Sequence, residues 1–492
     1  MKTMHLRIDW KSAFVRLFLT TVCVFAIILV CAANTSPLYP YYTNGDSAIF
    51  LLIGKGITEG KVCYVDLFDH KGPVHFFLEA LGWRIAGRTG VWLLECLMTV
   101  LWVLLAQKIC KKIKSKSLLP VIAAAFVYLH LFEHGNLTES YSMLPVFLCL
   151  YLSVQYYMSQ MLNHPPVYAF IYGVCFGLLA FSRVNNALVI CTLVLCIIIR
   201  LICEKQFCNL LSNLVSGLIG VAVVAVPVCM YFQAKGALYD MLYCTFLHNF
   251  FYAKASSSVN VLTDPLKYVV FYAPVIFSVV VFCVKIKKDP APLWRALLSC
   301  AVVCLLSLLF TNSYGHYFVL SVPVYTVAVA AVFPDVPGER RGKTWKKKPW
   351  LWGVLAITIL HFPYCVYSAG GPFYKGYVTD ISYSRYEKVQ ECIQVIPEAE
   401  RDSVIGYEIA TSWYVDSGIT PCYKYYSMQH WWTTEDNDVL GDFVHYVRSM
   451  HPKWVIAPKK MEQEDAVKQV LDAEYTLITE GDYGYYRYSG GR

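Results

Sequence analysis

One stretch of this chain gathers the side-chain types needed to move a group away from a phosphate. Asp46 is followed, eighteen residues on, by Tyr64-Val-Asp66-Leu-Phe-Asp69-His70-Lys71-Gly72-Pro73. A carboxylate at a dry interface can have its pKa raised and take a proton from a hydroxyl. A lysine beside it can hold a phosphate as a point charge. Further polar patches follow: Glu133-His134-Gly135-Asn136-Leu-Thr-Glu139, then Arg183-Val-Asn185-Asn186, then Tyr314-Gly-His316-Tyr317. Each patch alone is an ordinary polar helix end. Their interest lies in a single face of the molecule collecting all of them.

The elements that must do the collecting are read from composition. Of 492 residues, 57% are hydrophobic and 15% charged, and mean hydropathy is +0.46. Soluble domains run nearer ~45–50% apolar and ~25% charged. A soluble enzyme, a disordered chain and a disulfide-rich secreted domain are excluded. Apolar runs suited to crossing a bilayer are expected near 13–34, 90–108, 118–133, 142–158, 168–182, 186–203, 209–232, 268–284, 295–311, 317–333 and 350–368. The expectation is a mainly α, polytopic helical membrane protein with about eleven transmembrane helices. The net charge of +8 fits cytoplasmic loops, because Lys and Arg concentrate on one side of this register. Examples are Lys108–Lys116, Lys285–Arg295 and Arg340–Lys348. That register sets the N-terminus in the cytoplasm of a multi-pass cell membrane protein, and puts residues 35–89 and 369–492 on the outer face. No basic stripe with interleaved aromatics points to nucleic acid.

Residues 1–368 are expected as the transmembrane domain. Two apolar stretches of its first outer loop, 47–58 and 74–87, are too short to span and read as interfacial helices. Residues 369–492 are expected as an α/β domain. Val404–Tyr407 and Trp454–Ala457 read as strands, 438–450 and 461–472 as helices, and 475–478 with 485–488 as a hairpin around Gly481-Asp482. Most of the 19 cysteines lie in apolar runs and act as small hydrophobes. Cys392 and Cys422 in the tail are candidates to pair. No cysteine or histidine spacing points to a metal site.

At these residues the chain resembles bacterial GT-C superfamily membrane glycosyltransferases. It is similar, more narrowly, to the group of protein mannosyltransferases and the aminoarabinose lipid A transferase. The carriers are the acid after the first helix and the Tyr-x-Asp-x-Phe-Asp-His-Lys-Gly-Pro element, with Asn136-Leu-Thr-Glu139, Arg183-Val-Asn185 and His316-Tyr317 as weaker patches. The resemblance implies an inverting transfer of a sugar from a polyprenyl-phosphate donor to a glycan, lipid or protein acceptor of the cell envelope, with Asp46 at the reaction centre. It implies donor phosphate on Lys71, helped by Arg183, His316 and Tyr317, with Asp66, Asp69, His70, Asn136 and Glu139 supporting these groups or the acceptor. Members differ in metal dependence, so a divalent metal stays open. This chain has His70 between Asp69 and Lys71, where close relatives place an acid directly before Lys-Pro-Pro. Two other classes fit a polytopic chain: a lipid-linked glycan transporter or flippase, which needs polar groups through the spans, and a polysaccharide polymerase or ligase.

Overall fold

The computed structural model describes residues 10–39, 45–115, 117–248, 265–309, 314–334, 349–379, 381–428, 437–463 and 465–490. The chain is predominantly helical. Eight helical runs are long and apolar enough to cross a membrane. Two of these break internally. Pro73–Lys112 has non-helical backbone at Ala86 and Gly87, where glycine's freedom allows φ +57°. Pro166–Cys203 breaks at Arg183, which is extended.

Each expected span overlaps a helix. These are α1 (Trp10–Cys31), the second part of α3 (Pro73–Lys112), α4 (Leu119–Leu131), α5 (Thr138–Met158), α6 (Pro166–Arg183), α7 (Leu188–Cys203) and α8 (Phe207–Ala234). After the short α9 (Leu238–Leu242) come α10 (Pro265–Lys288), α11 (Pro292–Leu309), α12 (Val322–Val332) and α13 (Pro349–Phe373). At 13 residues, α4 is shorter than its expected span. The interfacial helix expected at 47–58 is α2 (Gly45–Thr58). The one expected at 74–87 is the first part of α3, joined to the following span through the Gly87 break rather than through a loop.

Small residues let the spans approach. A β-carbon on Gly220 of α8 would run into the Phe170 carbonyl of α6, and one on Gly173 into the Gly217 carbonyl. This fixes α6, whose last residue is Arg183. The faces of α1 and α8 away from the bundle are apolar and exposed, with Phe14, Phe18, Leu211 and Leu218 outermost. Hydrocarbon is their natural solvent.

The tail carries a four-stranded sheet in the order β1 (Val404–Gly406), β2 (Trp454–Ala457), β4 (Gly484–Tyr488), β3 (Tyr475–Glu480). β1 and β2 are parallel, and the other pairs are antiparallel. The expected hairpin turns at Gly481-Asp482. The helix expected at 461–472 starts later, at Ala466, because Asp465 caps it by accepting from the Val467 and Lys468 amides at 2.8 and 3.2 Å. Cys392 and Cys422 are not bonded to each other; both are free thiols. Cys392 faces Gly481 and Cys422 lies beside Tyr446.

The tail is not an isolated appendage. One continuous hydrophobic core joins Ile49, Phe50, Leu67 and Phe76 of the segment after α1, Phe232 near the end of α8, Met241 of α9, and Ile405, Trp454 and Leu471 of the tail. Polar clamps add to it. The Phe68 amide donates to the Lys424 carbonyl at 3.0 Å. Lys55 Nζ on α2 donates to the Gly418 carbonyl and to Thr420 Oγ1 at 2.7 and 2.6 Å. The segment from α2 to the start of α3 and the tail therefore share one face of the bundle.

Candidate active site

The strap from Asp66 to Pro73 is irregular backbone laid on the end of α6. Its contact is close: the Gly72 amide donates to the Ser182 carbonyl at 2.7 Å, and a β-carbon at Gly72 would overlap the Phe181 carbonyl. Glycine is needed here for approach. Pro73 then starts α3, where its missing N–H costs nothing. Tyr64, with φ +75°, turns the chain into the strap and donates its hydroxyl to the Lys71 carbonyl at 2.8 Å. Asp69 Oδ1 accepts from the Lys71 amide at 2.7 Å. Asp66 does something more local. It accepts from the Val62 amide at 2.7 Å and closes a turn.

Held this way, the buried Lys71 reaches Asp46 at the start of α2. Lys71 Nζ stands 3.6 Å from Asp46 Oδ2, 3.1 Å from His70 Nε2 and 5.8 Å from the centre of the Phe50 ring. About two-fifths of the Asp46 side chain stays accessible, against a tenth of Lys71. Burial pushes the Asp46 carboxyl up, but Lys71, His316 and Arg183 outweigh it and hold the carboxyl below its ordinary value. This corrects the expectation of a carboxylate raised by a dry interface. Lys71, His316 and Arg183 already face it. Burial raises the Asp69 carboxyl, and the Lys71 charge and the amides that donate to it only partly offset this. Burial together with the Lys71 charge keeps His70 well below its ordinary value, and so neutral. Burial lowers the Lys71 ammonium, but Asp46 and Asp69 more than compensate, and it is raised.

Arg183 and Glu139 form a second acid–cation pair. Their side chains are in contact, and Glu139 is buried. Glu139 Oε2 also accepts from Thr138 Oγ1 at 2.9 Å. The guanidinium lies 4.2 Å from the centre of the Tyr317 ring, a stacked geometry that lysine does not supply. His316 Nδ1 is 2.8 Å from Glu133 Oε2, and the His316 amide donates to Glu133 Oε1 at 3.1 Å. Beside the Arg183–Glu139 pair lies a small cleft, partly open to the exterior. Glu139, Arg183, Asn186 and Tyr317 form its polar end, and Leu188, Leu308 and Leu320 belong to its apolar wall.

Asp46, Lys71, His70, Asp69, Arg183, Glu139, His316 and Tyr317 are thus brought to one region. Asn136 is fully buried. Its amide donates to Glu95 Oε1 at 2.7 Å, its Nδ2 to Ser47 Oγ at 3.0 Å, and its Oδ1 accepts from the Tyr141 hydroxyl at 3.1 Å. Sequence reasoning singled out neither Glu133 as a site residue nor His248. Glu133 sits inside a patch already noted, and its link to His316 is a contact across 183 positions that no local pattern announces. His248, whose ring is 5.7 Å from that of His70, comes from the turn after α9, which lacks any sequence signal of its own. Among the described residues no group of three His, Cys, Asp or Glu side chains is arranged to hold a metal ion.

Comparison with known proteins now bears on this geometry. Residues 9–362 match the family described as competence-induced protein Ccs4 N-terminal domain. No curated protein matches in sequence. ArnT from Cupriavidus metallidurans bound to undecaprenyl phosphate superposes with a TM-score of 0.62 at 10% identity, over 95% of this chain and 97% of that one. The same protein in its apo state gives 0.60 at 11% identity, over 96% and 98%. The Archaeoglobus fulgidus oligosaccharyltransferase in its apo form gives 0.46 at 13% identity, over 95% and 74%. The fold is the GT-C type expected from the resemblance, shared with ArnT over almost the whole length. By the match that runs through all but the last of its spans, the chain belongs to the competence-induced protein Ccs4 N-terminal domain family.

Proposed function

We propose that this protein is an inverting glycosyltransferase that takes a sugar from a polyprenyl-phosphate donor and passes it to a cell-envelope acceptor at the outer face of the membrane. The observation that carries the reading is the buried Lys71 ammonium, paired loosely with a half-open Asp46 and close to the Arg183–Tyr317 mouth of a partly apolar cavity. A lipid phosphate needs this combination of a cation at a polar end and an apolar wall for its chain. The undecaprenyl phosphate named with the ArnT structure supports the same ligand class. The side carrying the strap and tail is the outer one in this reading, with the N-terminus cytoplasmic, as the loop charges favour.

The chemistry follows from the charges. The donor phosphate approaches Lys71 and competes with Asp46 for it. Asp46 loses part of the field that lowers its pKa, so its basicity rises once donor is bound. The acceptor oxygen then forms a bond to the anomeric carbon from the face opposite the phosphate, and its proton passes to Asp46. The bond between that carbon and the phosphate oxygen breaks with its electron pair on the phosphate. Lys71, with Arg183 behind it, stabilises the departing charge, as preorganised cations do in a water-poor site. Asp69 holds the Lys71 backbone in place.

The test is a donor assay on purified protein. Wild type is incubated with a panel of polyprenyl-phosphate sugars and crude envelope extract as acceptor source. Release of free polyprenyl phosphate that vanishes in Asp46→Asn is the expected result. No release from any donor would turn the assignment toward a transporter of lipid-linked glycans.

A further inference from the structure

Four consecutive residues have left-handed backbone: Glu133, His134, Gly135 and Asn136, with φ of +47°, +71°, +83° and +60°. Only glycine adopts this conformation freely, so a run containing three other residues persists where its surroundings enforce it. Two side chains outside the turn do so. Asn34, just beyond α1, donates through Nδ2 to the Gly135 carbonyl at 2.9 Å and to the Glu133 carbonyl at 3.4 Å. Its own amide donates to the His134 carbonyl at 3.1 Å. Glu95 on α3 accepts from the Asn136 amide through Oε1 at 2.7 Å and from Thr35 Oγ1 through Oε2 at 3.1 Å. Asn34 and Glu95 are both about 2% exposed.

Two contacts lead from the turn to the site, besides one from Asn136 Nδ2 to Glu79 Oε2 at 3.4 Å. Glu133 fixes His316. Asn136 fixes Ser47, the residue after Asp46. None of the hydrogen bonds that hold the turn reaches Lys71 or its strap. We infer that Asn34 and Glu95 are positioning residues: they clamp the left-handed turn that sets Asp46 and His316 for the transfer step, without acting on Lys71 or its strap. The inference rests on the proposed transferase reading.

Two readouts keep the two ideas separable. The first needs no substrate: hydrogen exchange, followed by mass spectrometry, of the peptide spanning 132–138. The second pairs turnover on the best polyprenyl-phosphate sugar of the panel with affinity for undecaprenyl phosphate. Asn34→Ala is expected to speed exchange at least tenfold and cut turnover at least tenfold, with affinity unchanged within twofold. Glu95→Ala behaves the same way, while Glu95→Gln, which keeps an acceptor for the Asn136 amide, stays within threefold of wild type. His134→Gly, which removes one side chain from the left-handed run, restores most protection and turnover to Asn34→Ala. If Glu95→Ala fails to fold, the Asn34→Ala and rescue pair carries the same comparison. Unchanged exchange in Asn34→Ala overturns the clamp. Faster exchange with unchanged turnover, or affinity falling in step with turnover, overturns the positioning role. A wild-type protein inert toward every donor, with exchange still responding to Asn34→Ala, counts against the transferase reading and leaves the clamp standing.

Discussion

Two acid–cation pairs meet at one end of the bundle, and they are built differently. Glu139 and Arg183 come from helix ends, touch directly, and are locked by Thr138 and the Tyr317 ring. Asp46 and Lys71 come from a helix start and an irregular strap, stand 3.6 Å apart, and leave the acid half open. The first pair has little left to offer a ligand without being broken. The second has an accessible carboxylate and an ammonium that can change partner. In the proposed reading the first is a framework pair and the second a working pair, different in geometry while sharing the same residue chemistry.

The sharpest way to break this contrast is at the working pair. Asp46→Asn keeps the shape and removes the base, so turnover is expected to fall about 10²–10⁴-fold in the donor-release assay, with the melting temperature little changed. Next in size is Gly72→Ala. Its β-carbon has no room against the Phe181 carbonyl, so the strap must lift and carry Lys71 away from Asp46. Turnover is expected to drop about 10²-fold, the scale of a 1 Å misplacement, and undecaprenyl phosphate affinity should fall with it.

The framework pair is expected to answer in stability. Glu139→Gln leaves Arg183 without its counter-charge in a largely desolvated place, where breaking one partner of a buried pair costs about 3–5 kcal/mol. Thermal unfolding in detergent should show a clear drop, larger than for Asp46→Asn. Arg183→Lys keeps the charge but loses the stack on Tyr317, for about 1 kcal/mol.

Acidity offers a subtler probe. Asp46 is held low mainly against its own burial by Lys71, so it stays ionised into the acid range. Its contribution to stability is present above the ordinary carboxylate range and is lost only as pH falls through that lowered value. Lys71→Ala removes the largest lowering influence. The acid limb of whatever turnover remains is then expected to move to higher pH, measured as a rate profile from pH 4 to 8. The smallest effect is expected far from the site. Lys468 and Asp472 pair at 2.6 Å on the tail surface, and Lys468→Ala should shift stability by about 0.5 kcal/mol or less.

Much of this was legible in the sequence because the signals were local. Apolar runs reported each span, short apolar runs reported β1 and β2, and the Gly481-Asp482 turn reported the hairpin. The Lys71-Gly72-Pro73 element announced a strap and a helix start in three residues. What stayed hidden was long-range. The Glu133–His316 and Asn136–Ser47 contacts join segments far apart in sequence. The left-handed turn depends on Asn34 and Glu95, neither of which carries a turn signature. The direction of the Asp46 shift was misjudged for the same reason: burial is readable from hydropathy, but the three cations that outweigh it arrive from three different segments. Nor does composition reveal that the tail completes the core around α2 and the start of α3.

The division of labour within the working pair is the central claim, and one paired measurement addresses it. Undecaprenyl phosphate affinity and donor turnover would be measured on wild type, Asp46→Asn and Lys71→Ala, each shown to be folded. The account predicts that Asp46→Asn binds the lipid phosphate at least as tightly as wild type, because a competitor for Lys71 is gone, yet turns over at least 10²-fold more slowly. Lys71→Ala should lose affinity at least tenfold. Wild-type turnover in Asp46→Asn, or undiminished affinity in Lys71→Ala, would contradict it.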